Sequence, residues 1–133
     1  MSKDEAQHYY DRFSQFARVA LRIETTLPED ASWACVVRFY AALHLVSAYL
    51  SIKKRRSFDS SSAVHAERSK ALRDCSELRE APARYRELKD LSESVRYDPG
   101  FTFTQKHHES AKNCLTKIVA IVEPKLKQLL GIS

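Results

Sequence analysis

Residues 31–50 read ASWACVVRFYAALHLVSAYL, a run that is apolar nearly all round and yet carries Arg38 and His44. Such a run is either a membrane span or the central helix of a compact bundle. It has the length to cross a bilayer, and Lys53-Lys54-Arg55-Arg56 follows it as a cytoplasmic flank would. A guanidinium and an imidazole near the midpoint are costly in hydrocarbon, where such groups need a pore or a partner. The chain on either side is amphipathic and mostly polar. The run therefore reads as the buried helix of a protein with no membrane segment.

Working outward, the 133 residues leave room for one domain, residues 1–133, around one core. There are only two glycines and four prolines, and the chain is rich in Ala, Leu, Glu, Lys and Arg, which lose little rotamer freedom in a helix. The expectation is an all-α protein, an up-and-down bundle of four to five helices with a buried central second helix. Cys35, Cys75 and Cys114 are odd in number and far apart, which suits reduced thiols in a cytoplasmic protein better than a disulfide framework. The N-terminus opens MSKDEAQ, with acids where a secretory signal would be basic and then apolar.

Apolar spacing predicts helices over about 4–26, 29–53, 63–79 and 82–95, and a final helix capped by Thr104. The final inner stripe is Ala111, Leu115, Ile118, Val119, Val122, Leu126 and Leu129, and Pro124 is expected to kink this helix or to start a separate terminal turn. The polar stretch RRSFDSSS, residues 55–62, reads as the longest loop, with Ser62 as a cap for the third helix. Asp98-Pro99-Gly100 predicts a tight reversal before the last helix.

The formal net charge is +5, and residues 51–73 alone hold seven Lys/Arg against two acids. That stretch offers an anionic partner Lys53, Lys54, Arg55, Arg56, His65, Arg68 and Arg73, with His65 and Arg68 three apart on one helix face. A solvated face with ordinary surface charge accounts for the same residues equally well. Five histidines invite a metal, but no Cys-x-x-Cys or His-Glu-x-x-His spacing is present. His107 and His108 are adjacent, so on a helix they diverge by about 100° and read as surface histidines near a helix start. No metal and no cofactor are expected. Two glycines set 31 residues apart cannot build a P-loop or a dinucleotide fingerprint.

On the central helix Tyr40 and His44 are four apart and share a face, with a hydrogen bond between them in reach. Arg38 and His44 are six apart, about 120° around the helix, a poor spacing for a catalytic pair within one chain. His44 reads first as a core histidine and second as an acid/base group. Arg96 stands where a helix gives way to the turn, placed to cap carbonyls or to be held by Tyr85 and Asp90.

In order along the chain, FYAALHLVSAYL, His65-x-x-Arg68, Tyr85-x-x-Leu88 and Ser94-Val-Arg96-Tyr97 resemble the small HEPN-type bundles of prokaryotes over about residues 33–122. The resemblance implies a four- or five-helix bundle, frequent homodimerisation, and membership of toxin–antitoxin, phage-defence or RNA-processing systems. Many such proteins are metal-independent ribonucleases in which an Arg-x(4–6)-His motif meets its dimer mate. Here Arg96 is the positional counterpart of that arginine, but the matching spacers lead to Phe101, Thr102 and Phe103, and His107 lies further on. Neither Thr nor Phe exchanges protons near neutral pH as imidazole does.

The sequence thus predicts a non-catalytic, HEPN-like binding module, homodimeric and linked to RNA or to a cognate antitoxin or defence-system protein. The alternative is a metal-independent ribonuclease with a composite dimer site drawn from Arg96 with His107, or from Arg38 with His44.

Overall fold

A computed structural model describes residues 3–56, 58 and 62–132, with the backbone alone for 62–64. Among these residues the chain forms five α-helices: α1 (Lys3–Thr26), α2 (Ala31–Lys53), α3 (Ser62–Arg73), α4 (Ala81–Tyr97) and α5 (Gln105–Leu130). The fold is an all-α bundle built around α2.

α2 occupies the middle because it has no polar face to spend on water. Phe39, Leu43, Leu45, Tyr49 and Leu50 are all at most 2% exposed, and each such side chain contributes roughly 1.5–3 kcal/mol on burial. α1 packs along one side of α2, while α4 and α5 close the others. The helix from Pro28 to Lys53 is long and apolar enough to cross a membrane, and 78% of its apolar window is buried inside the bundle. The surrounding helices each give α2 one stripe at helical spacing. These are Ala6, Phe13 and Ala20 of α1, Ala81, Tyr85, Leu88 and Ser92 of α4, and Ala111, Cys114, Ile118, Val122 and Leu126 of α5.

The ends of the elements follow local chemistry. Thr104 caps α5 as expected, its Oγ1 accepting from His107 N–H while His107 Nδ1 accepts from the Thr104 N–H at 3.0 Å. The reversal before α5 is an Asx turn in which Gly100 N–H donates to Asp98 Oδ1 at 3.0 Å. α5 ends on Gly131 at φ 74°, and the Ile132 N–H reaches back to the Lys127 carbonyl at 3.0 Å.

Four expectations need correction. The third helix stops at Arg73 instead of Arg79, because Cys75 and Leu78 turn into the core through a short 3₁₀ turn at Ser76–Leu78. Tyr49 fixes that turn by donating to Glu77 at 2.6 Å. α4 continues past Val95 to Tyr97, which brings Arg96 inside the helix. α5 runs through Pro124 as one element with no separate terminal turn, its inner stripe unbroken from Val122 to Leu126. His108 is 5% exposed, so it is not a surface residue. The proposed Ser62 cap rests on a side chain outside the described residues.

Candidate nucleic-acid interface

α3 and α4 leave a groove between them, walled by Ser69 and Arg73 on one side and by Arg86, Lys89 and Asp90 on the other, with Leu72 and Tyr85 along it and a volume of about 960 Å³. Arg79, in the connection between the two helices, adds a fourth cation. The groove also carries Glu87, which is ion-paired with Arg84 at 2.7 Å, and Asp90. Its cations therefore outnumber its acids by four to two. Arg79 takes φ 53°, a left-handed conformation that side chains with a Cβ rarely adopt.

The spacing on α4 explains the alignment. Pro82, Arg86, Lys89, Glu93 and Arg96 follow one another at three- and four-residue intervals, so they share a stripe. At the far end this stripe opens into a second, smaller pocket of about 330 Å³ lined by Phe39, Tyr40, His65, Lys89, Glu93, Arg96 and Tyr97. Lys89 lines both spaces and donates to Glu93 at 2.6 Å.

Arg96 is held among aromatic rings. Its Nη1 donates to Tyr40 Oη and to Tyr97 Oη, both at 3.1 Å. The guanidinium carbon lies 4.8 Å from the Tyr97 ring centre, 5.5 Å from Tyr40 and 5.8 Å from Phe39, within cation–π range of all three. Its Nε caps the Ser92 carbonyl at 3.3 Å. Tyr97 itself is 72% exposed.

Arg68, expected to grip an anion, faces inward and is completely buried. Its Nε donates to Ser47 Oγ, its Nη2 to the Phe58 carbonyl and its Nη1 to His65 Nδ1, each at 3.0 Å. The guanidinium knits α3 to α2 and to residue 58, and it is not available to a ligand. Arginine has no acceptor, so His65 Nδ1 must be the unprotonated nitrogen. Burial first, and then the charges of Arg68, Lys89 and Arg96, hold the His65 pKa below its ordinary value. His65 is thus a neutral ring whose proton sits on Nε2.

Of the basic run after α2, Lys53, Lys54, Arg55 and Arg56 are all exposed. Arg56 is ion-paired with Glu67 and stacks on Phe58 at 4.9 Å. Lys53 lies 6.0 Å from the Tyr49 ring centre. Both lysines stand close enough to Cys75 to act on its ionisation, beside the connection that carries Arg79. Arg73 is exposed on the groove wall.

Within the single chain neither Arg/His pair is brought together. Arg38 is 5% exposed and ion-paired with Glu24, which also takes Lys112 Nζ at 2.9 Å and lies 3.9 Å from His108 Nε2. Hydrogen bonding by Lys112 and Arg38 lowers the Glu24 pKa despite the cost of burial. His44 instead stacks on Phe16 at 5.1 Å and 8°, with Tyr9 at 6.3 Å. Burial, helped by Arg12, Arg68 and His8, pushes its pKa down to about 4. Tyr40 Oη accepts from Arg96, and the anticipated Tyr40–His44 bond is not formed, His44 Nδ1 having no partner among the described residues. His107 is occupied in the α5 cap and packs against Phe101 at 4.8 Å, sharing no partner with Arg96. Tyr85 and Asp90 do not hold Arg96; Tyr85 bonds Arg68 instead.

Sequence reading missed Arg79, Arg86, Lys89 and Glu93. The signal was the three- and four-residue spacing of 86, 89, 93 and 96, hidden because residues 74–97 hold six acids against five cations overall. Among the described residues no group of three His, Cys, Asp or Glu side chains is placed to hold a metal ion. The chain matches no protein-family model, and no curated protein matches it.

Proposed function

We propose that this protein is a non-catalytic binding module that holds single-stranded RNA along the α3–α4 groove. The observation that carries the reading is the α4 stripe. Arg86, Lys89 and Arg96 face Arg73 and His65 across a groove that ends at the exposed ring of Tyr97, with Tyr40 half-buried beside it. Cations that track a phosphate backbone, followed by rings on which bases stack, are the two parts a single-strand site needs. The HEPN resemblance brings homodimerisation and a toxin–antitoxin or defence setting into the same proposal.

The histidines favour holding over cutting. A general base needs a free lone pair within reach of the proton it takes. His107 has its Nδ1 in the α5 cap and His65 Nδ1 accepts from Arg68, so neither has a lone pair to spare, while the His44 Nδ1, which has no hydrogen-bond partner among the described residues, is buried beside Phe16 and Tyr9. One observation favours the ribonuclease alternative. Arg96, His65, Tyr40 and Tyr97 line one pocket, an Arg/His grouping with His65 in the place expected of His107 or His44.

Incubation of the purified protein with labelled RNA in EDTA separates the two. The binding reading expects RNA that is retarded and intact. Cleavage that disappears in His65→Ala establishes the ribonuclease instead, and no binding at low salt ends both.

A further inference from the structure

We propose that the pocket at the end of the groove is a reading site for a single unpaired guanine. This rests on the RNA reading above and names the base that the site selects. At about 330 Å³ the pocket falls at the lower end of the size range of small-ligand sites, roughly 300–1,000 Å³. That is room for one base and its sugar, not for a duplex.

Tyr97 supplies the platform. It is 72% exposed, and Arg96 braces it by a hydrogen bond to its hydroxyl as well as by the guanidinium over its ring. A large ring left in water and stiffened in that way is prepared to stack on a base, since every base has a π-face. Tyr40 and the buried Phe39 fix Arg96 from the other side, so the platform is preorganised.

Selection comes from the polar edge. The pocket offers donors at Lys89 Nζ and at His65 Nε2–H, together with one carboxylate acceptor, Glu93. Guanine alone places two adjacent donors, N1–H and N2–H, beside an acceptor, O6, on its Watson–Crick edge. A carboxylate can take both donors in a charge-assisted pair, while O6 accepts from Lys89 or His65. Adenine and cytosine each offer an amino donor next to a ring acceptor that would face the carboxylate, and uracil flanks its N3–H with two carbonyls. The Lys89–Glu93 pair is half-exposed and each carboxylate oxygen has two lone pairs, so both oxygens of Glu93 can take the base while Oε1 also keeps its lysine, at little cost.

The test is fluorescence anisotropy with labelled 12-nucleotide oligomers of A, U or C, each with and without one central G. The single G is expected to tighten binding about tenfold, the scale of a good bidentate base contact. In Glu93→Gln that advantage disappears while affinity for the G-free oligomers is retained, and Tyr97→Leu weakens all of them. Equal affinity for oligomers with and without G, with salt-dependent binding intact, overturns the guanine site and leaves the groove standing. Failure of every oligomer to bind overturns the groove and the guanine site together.

Discussion

Arg68 and Arg96 stand on neighbouring helices and both reach toward α2, but they have been put to opposite uses. Arg68 is sealed, with Ser47, His65 and the Phe58 carbonyl in a 3.0 Å shell around it. Arg96 is propped open on Tyr40 and Tyr97 at the mouth of a pocket. The first holds the fold together and the second holds a surface ready. A buried guanidinium bonded on every side has no capacity left for a ligand, whereas one stacked on rings keeps donors and charge to offer. The seam between α2 and α3 is therefore the structural half of this face of the protein, and the α3–α4 groove is the half to which our proposal assigns binding.

That division predicts where substitutions act. Reversing the groove charges in the triple variant Arg73→Glu, Arg79→Glu, Arg86→Glu has the largest expected effect on RNA, a loss of at least about a hundredfold in affinity at low salt. Stability, read by urea unfolding, should move by less than about 1 kcal/mol because these side chains are at the surface. Arg68→Ala should do the reverse. It strands Ser47 Oγ, His65 Nδ1 and the Phe58 carbonyl and leaves a void, at a cost of about 3 kcal/mol or more. A loss below about 1 kcal/mol in that variant would dissolve the contrast between the two arginines.

A third test concerns the other closed centre, the His44 stack. Its folded pKa of about 4 lies below the ordinary 6.5, so the folded state favours the neutral ring. The stability contributed is fully present above pH 6.5 and is lost as pH falls toward 4, by on the order of 1–2 kcal/mol after allowance for partial exposure. His44→Phe, which keeps the ring against Phe16 and Tyr9, should flatten the pH dependence of the thermal midpoint in that window. An unchanged slope would mean that the imidazole is not held neutral.

The smallest effect is expected at Arg79. Its left-handed backbone suits glycine better than arginine, so Arg79→Gly should raise stability by about 1 kcal/mol while weakening RNA binding several-fold. Opposite signs in the two assays would show strain retained for the sake of a surface charge; a fall in both would not.

The sequence made the fold legible because α2 has no polar face. A helix apolar all round must be surrounded, and the stripes that surround it recur at helical spacing in α1, α4 and α5. Boundaries slipped where tertiary contacts outweighed local preference, as at Cys75 and Leu78, which leave the helical path to enter the core. The site was harder to read. Lys53, Lys54, Arg55 and Arg73 lie on the surface as a basic run suggests, but composition cannot say that Arg68, five residues before Arg73, points the other way. Nor can a net charge summed over residues 74–97 reveal that the cations of α4 gather on one stripe. His65 and Arg96 are 31 residues apart in the chain and share a pocket only because α3 and α4 both lean on α2.

On the proposed reading, the α3–α4 groove holds RNA by its backbone without cutting it. The most direct measurement is the salt dependence of binding to a labelled 12-nucleotide RNA in EDTA, with the recovered RNA checked on a denaturing gel. Phosphate contacts by Arg73, Arg79 and Arg86 contribute roughly −2 to the log–log slope, so the prediction is RNA recovered intact and, for the triple charge-reversal variant, a slope shallower by about that amount. Binding whose affinity and slope survive the charge reversal, or RNA recovered in fragments, would contradict the account.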